Sequence, residues 1–203
     1  MSDERTAAFL RVLDPEDNST GGGTASAIAG AMAAALVAMV ARLSMNQAGG
    51  EPDDFYAEIA TDGGALAEEL RAGGDEDARA FDAVLAAYRL SRGSDEERAA
   101  RRGAIRTALA HATRVPLRNG ELCAAAAELV AQLEGRANPR ALSDLQSAAY
   151  LAEAGLRGCL ANVDINLPAL KDEPAAAAEI RARADSLRAR PPSTPAPSTS
   201  AGS

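Results

Sequence analysis

Three consecutive glycines, Gly21-Gly22-Gly23, run straight into Thr24 and an Ala-rich stretch that continues to Leu43. Glycine frees the backbone from Cβ clashes and lets it approach another group closely. Thr24 is placed to accept a bond from an orphan N–H of the first helical turn. The remaining free N–H groups and the positive dipole end favour an anion or an electron-rich ligand edge. A flexible entry to a cap is the plainer alternative for the same glycines. Larger side chains recur at helical spacing as Ile28, Met32, Leu36, Met39 and Leu43, with Ala and Gly on the flanks. The stretch is therefore expected to be a central helix, approachable closely on every side, with its N-terminus facing a pocket. No Gly-Lys-Ser/Thr follows the glycines and no strand precedes them, so neither nucleotide fingerprint is present. The run is long enough for a membrane span, but Ala and Gly supply little of the transfer energy. A buried helix and no membrane association are expected.

The rest of the chain agrees with an all-α helical bundle around that helix. Val, Ile and aromatic residues are sparse while Ala, Leu, Glu and Arg are plentiful, which favours helix over strand. A length of 203 residues suffices for one domain with a sizeable core. The formal net charge of -8 argues against nucleic acid as a partner. Cys123 and Cys159 make no disulfide framework, and the charged start Met1-Ser2-Asp3-Glu4-Arg5 has no apolar leader core, so a cytoplasmic setting is expected. Residues 1–190 form the expected domain. Residues 191–203, made of Pro, Ser, Thr, Ala and Gly, are expected to be a disordered tail.

Patterning divides the domain into helices. Thr6 to Leu13 puts Phe9, Leu10 and Leu13 on one side, and a loop follows to Thr20. After a loop from Met45 to Asp54, Phe55 to Leu70 is helical but interrupted at Gly63-Gly64, and Gly73-Gly74 weakens the next joint. One kinked helix or two short ones would fit, with a further helix over Asp75 to Leu90. Ser94 with Glu97 forms a capping box for a helix to about Thr113. Val115-Pro116 predicts a break, and Leu117 to Leu133 a new helix. Ser143 with Gln146 reads as a second capping box, opening a helix to about Asn162. A last helix covers about Glu173 to Arg190.

Few residues could carry chemistry. Asp75-Glu76-Asp77 follows two glycines, where it reads either as helix-capping charge or as a source of a catalytic carboxylate. Asp77, Phe81 and Val84 share one helix face, so Asp77 heads an apolar stripe. A carboxylate at the rim of an apolar pocket can accept a proton or face a cationic substrate. Asn162 and Asn166, with Asp164, stand where an apolar helix ends, as caps or as ligand hydrogen-bonders. His111 has no Ser or Cys nucleophile near it in sequence, and one His with two distant Cys fits no zinc spacing. Arg98, Arg101, Arg102 and Arg106 form a basic helix face, with pairing to Glu96 and Glu97 as the plain reading.

Four stretches, in order, resemble the cyclodeaminase/cyclohydrolase family, which includes the C-terminal domain of formimidoyltransferase-cyclodeaminase and free-standing methenyltetrahydrofolate cyclohydrolases. They are Thr20 to Thr24 with Met39 to Ser44, Asp77 to Val84 with Tyr88 to Leu90, Arg114 to Leu117, and Ser143 to Leu145 with Asn162 to Leu167. The resemblance implies an all-helical homodimer acting on a one-carbon unit of tetrahydrofolate, either as a hydrolase of the methenyl form or as an ammonia-releasing cyclodeaminase. A silent binding member of the family is the remaining alternative. The resemblance also implies that Asp77 is the catalytic residue. It further implies that Gly21, Gly22, Gly23, Thr24, Ser143, Asp144, Asn162 and Asn166 bind the substrate, with no metal and no prosthetic group. The sequence departs from the family pattern after the central helix. A basic, aromatic turn is replaced by Met45-Asn46-Gln47-Ala48-Gly49-Gly50, with no cation to meet the glutamate tail of a folate.

Overall fold

The glycine run and the Ala-rich stretch become one helix, and the other helices are arranged around it. The computed structural model describes residues 7–17 and 20–191, so Thr6, Asn18, Ser19 and the expected tail beyond Pro191 lie outside the described residues. The described residues hold six α-helices and no strand: α1 Ala7–Val12, α2 Gly22–Ser44, α3 Asp53–Arg89, α4 Asp95–Leu133, α5 Leu142–Asn166 and α6 Pro174–Arg188. Short 3₁₀ turns at Pro139–Ala141 and Leu167–Leu170 flank α5.

α2 packs on α3, α4 and α5. Its inward face is made of small residues, with Ala27, Ala33, Ala34, Val37 and Ala41 fully buried. Of the larger side chains, Met32, Met39 and Leu43 are exposed, while Ile28 and Leu36 are half-buried and Leu36 packs against the core. The central position is as expected, but contact on every side is not. Helix axes can come close only where side chains are small, so the bundle takes the Ala/Gly face and leaves Met32, Met39 and Leu43 outside. By length and composition α2 could cross a membrane, yet three helices cover much of its surface. α5 runs antiparallel to α2. A Cβ on Gly155 would lie 2.8 Å from the Ser26 carbonyl, one on Gly22 would lie 3.4 Å from Asn162, and Leu145 and Ala148 cluster with Val37 and Val40 at the other end.

Two expected breaks are absent. α3 is one helix of 37 residues that contains all four glycines. Gly63 faces α2, where a Cβ would meet the Ala34 carbonyl at 3.0 Å. Gly73 faces α4, where a Cβ would overlap the Asn119 side chain, which is buried and donates to the Gly73 carbonyl at 3.1 Å. At Gly63 and Gly73 the intrinsic cost of about 1 kcal/mol per glycine is offset by packing that a larger residue would block, whereas Gly64 faces open space and Gly74 makes only ordinary contacts. α4 is likewise continuous through Pro116. Proline lacks the N–H that would bond the Ala112 carbonyl four residues back. The Asn166 side chain, at the end of α5, donates to that carbonyl instead, at 2.9 Å.

The Ser94–Glu97 capping box forms as expected. The Ser143 box does not. The chain enters α5 from the 3₁₀ turn, which Asn138 caps by accepting from the Arg140 N–H, so Ser143 already lies inside the helix and needs no capping role. Phe9, Leu10 and Leu13, expected to share one face, remain exposed rather than entering the core.

Candidate active site

At the mouth of α2 the local structure differs from the sequence expectation. The N-cap is Gly21, in extended backbone, with no side-chain cap. Thr24 is inside the helix and does not accept from its own first turn. Its Oγ1 donates across to Asp77 Oδ2 at 3.0 Å, and its backbone N–H also donates to the Asp77 carboxylate. Asp77, in the middle of α3, thus supplies from another helix the anion that the free N–H groups of α2 favour. The acidic triplet does not cap its own helix. Asp75 pairs with Arg71 at 3.4 Å and Glu76 approaches His111 at 3.6 Å, which leaves only Asp77 turned to α2.

The three glycines are not equivalent. A Cβ on Gly23 would stand 2.5 Å and 2.6 Å from the two Asp77 oxygens, so the carboxylate lies directly against the Gly23 backbone. A Cβ on Gly22 would reach ordinary contact with Asn162 at 3.4 Å, and one on Gly21 would meet nothing within 4 Å. Close approach is therefore needed at Gly23 alone.

Gly21, Gly23 and Asp77 open onto a cavity of about 290 Å³ walled by Phe81 and Val84 from α3, by Leu109 and Ala112 from α4, and by Ile165 at the end of α5. Asn162 and Asn166 complete its polar side. Their amide nitrogens donate to the Gly158 and Ala112 carbonyls, each at 2.9 Å, and no donor among the described residues reaches their amide oxygens. Two acceptors thus remain for a ligand N–H. Burial pushes the Asp77 carboxyl above the usual aspartate range, and the two bonds from Thr24 oppose that rise. The site therefore offers one basic carboxylate, apolar walls and amide acceptors, a combination suited to proton transfer on a flat, cationic, N–H-bearing heterocycle.

The other sequence candidates fall elsewhere. Ser143 and Asp144 do not join this pocket. They stand at the opposite end of α5, about 28 Å from Asn162 along the helix axis at 1.5 Å per residue. His111 is exposed and not part of the lining. Cys123 and Cys159 are buried, and the neighbouring Cys123 thiol together with burial raises the Cys159 pKa, so that side chain stays a thiol. Among the described residues no group of three or more His, Cys, Asp or Glu side chains could hold a metal ion. Sequence reasoning missed Ala112 and Leu109. Ala112 had a readable signal, because a carbonyl four residues before a mid-helix proline needs a new donor.

A strand-free bundle in which a carboxylate from one helix closes on the glycine-rich mouth of another defines a helical class with a single acid at its centre. The chain belongs to the Formiminotransferase-cyclodeaminase family, whose profile matches residues 5–186. It is 36% identical over 176 residues to the methenyltetrahydrofolate cyclohydrolase of Methylorubrum extorquens, covering 83% of this chain and 82% of that one. It is 33% identical over 174 residues to the formimidoyltransferase-cyclodeaminase of Rattus norvegicus, of whose length it spans only 32%. A formiminotetrahydrofolate cyclodeaminase from Thermotoga maritima superposes with a TM-score of 0.72 at 26% identity, over 88% of this chain and 89% of that one.

Proposed function

We propose that the protein is a folate-dependent one-carbon enzyme that hydrolyses 5,10-methenyltetrahydrofolate to 10-formyltetrahydrofolate, with Asp77 as its base and acid. One observation carries this reading: the basic carboxylate at the cavity mouth belongs to a chain similar over most of its length to a methenyltetrahydrofolate cyclohydrolase. The methenyl substrate is a cation with its charge shared between two nitrogens and the carbon joining them. Ionised Asp77 attracts that charge and takes a proton from water as the water oxygen bonds to the carbon. The product of this step is a neutral tetrahedral carbon bearing a hydroxyl. Protonated Asp77 then returns its proton to N5 as the carbon–N5 bond breaks. The hydroxyl loses its proton to solvent and becomes the formyl carbonyl on N10. One water is consumed and one proton released. The acceptor oxygens of Asn162 and Asn166 suit the N–H groups of the reduced pterin, Gly21 and Gly23 form the floor beneath it, and Thr24 acts from behind by holding Asp77. The scheme uses no prosthetic group, and a cytoplasmic setting belongs to the same proposal.

Cyclodeamination is the second reading, favoured by the names of the rat and Thermotoga relatives. There N10 attacks the formimidoyl carbon, and Asp77 carries the proton to the departing ammonia. The two are separated by offering both substrates. Hydrolysis predicts loss of the methenyl absorbance without ammonia release from the formimidoyl compound. Ammonia release with the methenyl form accumulating would assign the chain to cyclodeamination.

The proposal includes a homodimer built on α2. Met32, Met39 and Leu43 leave a bulky apolar row on the outside of the most apolar helix. Leu142 and Tyr150 of α5 are also exposed, on the part of that helix beside the C-terminal half of α2. A second copy with its α2 antiparallel to the first would cover these side chains. It would also carry Ser143 and Asp144 of one subunit toward the glycine end of the other, which gives those two residues a role across the interface.

A further inference from the structure

Among the described residues five polar side chains are buried: Thr24, Ser26, Ser44, Thr113 and Asn119. Ser26, Ser44 and Thr113 each donate to the carbonyl four residues back on their own helix. Of the five, only Thr24 and Asn119 donate to another helix, and both donate to the same turn of α3. Thr24 reaches it from α2, at the Asp77 carboxylate. Asn119 reaches it from α4, where Nδ2 donates to the Gly73 carbonyl at 3.1 Å. In an unbroken α-helix that carbonyl also accepts from the N–H of Asp77, so Asn119 and the Asp77 backbone share one acceptor.

The Asn119 amide lies directly against Gly73: an added Cβ would overlap its Oδ1 and stand 2.9 Å from its Cγ. Gly74 packs on α2, where a Cβ would stand 3.6 Å from the Thr24 methyl. The turn that carries Asp77 is thus gripped by an amide on α4 and by Thr24 on α2. Neither Gly73 nor Asn119 helps its own helix to form. Both are poorer helix formers than alanine, and burying an amide for a single bond gains little. Two locally unfavourable residues meet one turn from the only acid that lines the pocket, which marks a requirement of position rather than of stability.

We propose that Asn119 is a positioning residue: by holding the Gly73 carbonyl it fixes the α3 turn from which Asp77 meets Thr24. The inference rests on Asp77 as the acid of the proposed reaction. To Asp77, α2 brings Thr24 and no charge, and α4 brings Leu109 and Ala112 to the pocket. α5 brings Asn162, Asn166 and the Cys159 thiol, whose ionisation the Asp77 charge opposes. On α3 itself Asp75 pairs with Arg71, and Glu76 approaches His111 of α4. The bonds from Thr24 hold the Asp77 carboxyl down against the effect of burial, so loosening the turn lets it titrate at higher pH.

The test is a carbon-13 NMR titration of the Asp77 carboxyl in the full chain, its resonance identified by its loss in Asp77→Asn. Asn119→Ala should titrate at higher pH than the wild type. Asn119→Ala/Gly73→Ala puts a methyl where the amide oxygen was, and should melt at or above the wild-type temperature yet titrate as high as the single variant. A double variant that titrates with the wild type would mean that Asn119 acts by packing alone, and it overturns the proposal. So does an Asn119→Ala titration that does not move. In turnover both variants should lower kcat by about ten- to a hundredfold, the cost of a small misplacement, with KM within about twofold of the wild type. A raised KM with kcat unchanged also overturns the positioning role. Moved titrations with no turnover of methenyltetrahydrofolate by the wild type would instead remove the hydrolase reading and leave that role standing.

Discussion

An alanine at position 23 would drive its Cβ into the Asp77 carboxylate, at 2.5 Å and 2.6 Å from its oxygens. Gly23→Ala should therefore push Asp77 off Thr24 and cut kcat by about 10²–10⁴, the range a positioned acid–base group contributes. Gly21→Ala, with open space around the added methyl, should keep near wild-type turnover; equal loss in both variants would show that the glycines matter only for flexibility. Asp77 itself carries a stability signature. Burial raises its folded pKa, so its contribution to folding is full below the unfolded pKa and is lost as pH rises through the folded one. At pH 7 the ionised side chain costs stability that an amide does not. Asp77→Asn should melt at or above the wild-type temperature at pH 7, with the margin shrinking as the pH is lowered. A margin that grows on acidification contradicts this account. The sequence made Asp77 legible, as the head of an apolar face, but not its partner. Thr24 is 53 residues away and reads locally as an N-cap, and only the packing of α2 on α3 turns its hydroxyl outward to Asp77.

At the scale of single elements, Gly63, Gly73 and Pro116 look like breaks and are contacts. Gly63 and Gly73 are mid-helix because α2 and Asn119 press against them, a long-range fact that local propensity does not contain. Pro116 is tolerated because Asn166 reaches the carbonyl it leaves unpaired. The same bond fixes the end of α5 beside Ala112 and so sets the width of the pocket. Asn166→Ala should cost about 1–3 kcal/mol in denaturant unfolding, as a part-buried carbonyl loses its donor, and should raise KM as the pocket loosens. Asn166→Ala combined with Pro116→Ala restores a backbone donor and should recover most of the stability while leaving KM high. Failure of the second change to recover stability would mean that the asparagine acts through packing alone. The helix starts divide in the same way. Ser94 and Glu97 satisfy each other within one turn and are legible directly, whereas the start of α5 is set by the preceding 3₁₀ turn and not by Ser143.

For the molecule as a whole, the all-helical bundle was readable from composition and periodicity. The orientation of its central helix was not, because a stripe of bulky side chains ordinarily marks the buried face. Here the small face is buried, and Met32, Met39 and Leu43 of the bulky row are left outside. Met39→Asp places a charge in that row and should convert a dimer to a monomer in sedimentation measurements, with helicity retained. A wild-type chain that sediments as a monomer would remove the dimer and, with it, the role given to Ser143 and Asp144. The central claim is that one acid at the mouth of α2 performs the proton transfers on a bound one-carbon folate. It is tested most directly by following the absorbance of 5,10-methenyltetrahydrofolate with wild-type protein and with Asp77→Asn, corrected for spontaneous hydrolysis. The account predicts saturable hydrolysis by the wild type and a loss of about 10²–10⁴ in kcat for the folded variant; equal rates from the two proteins would contradict it.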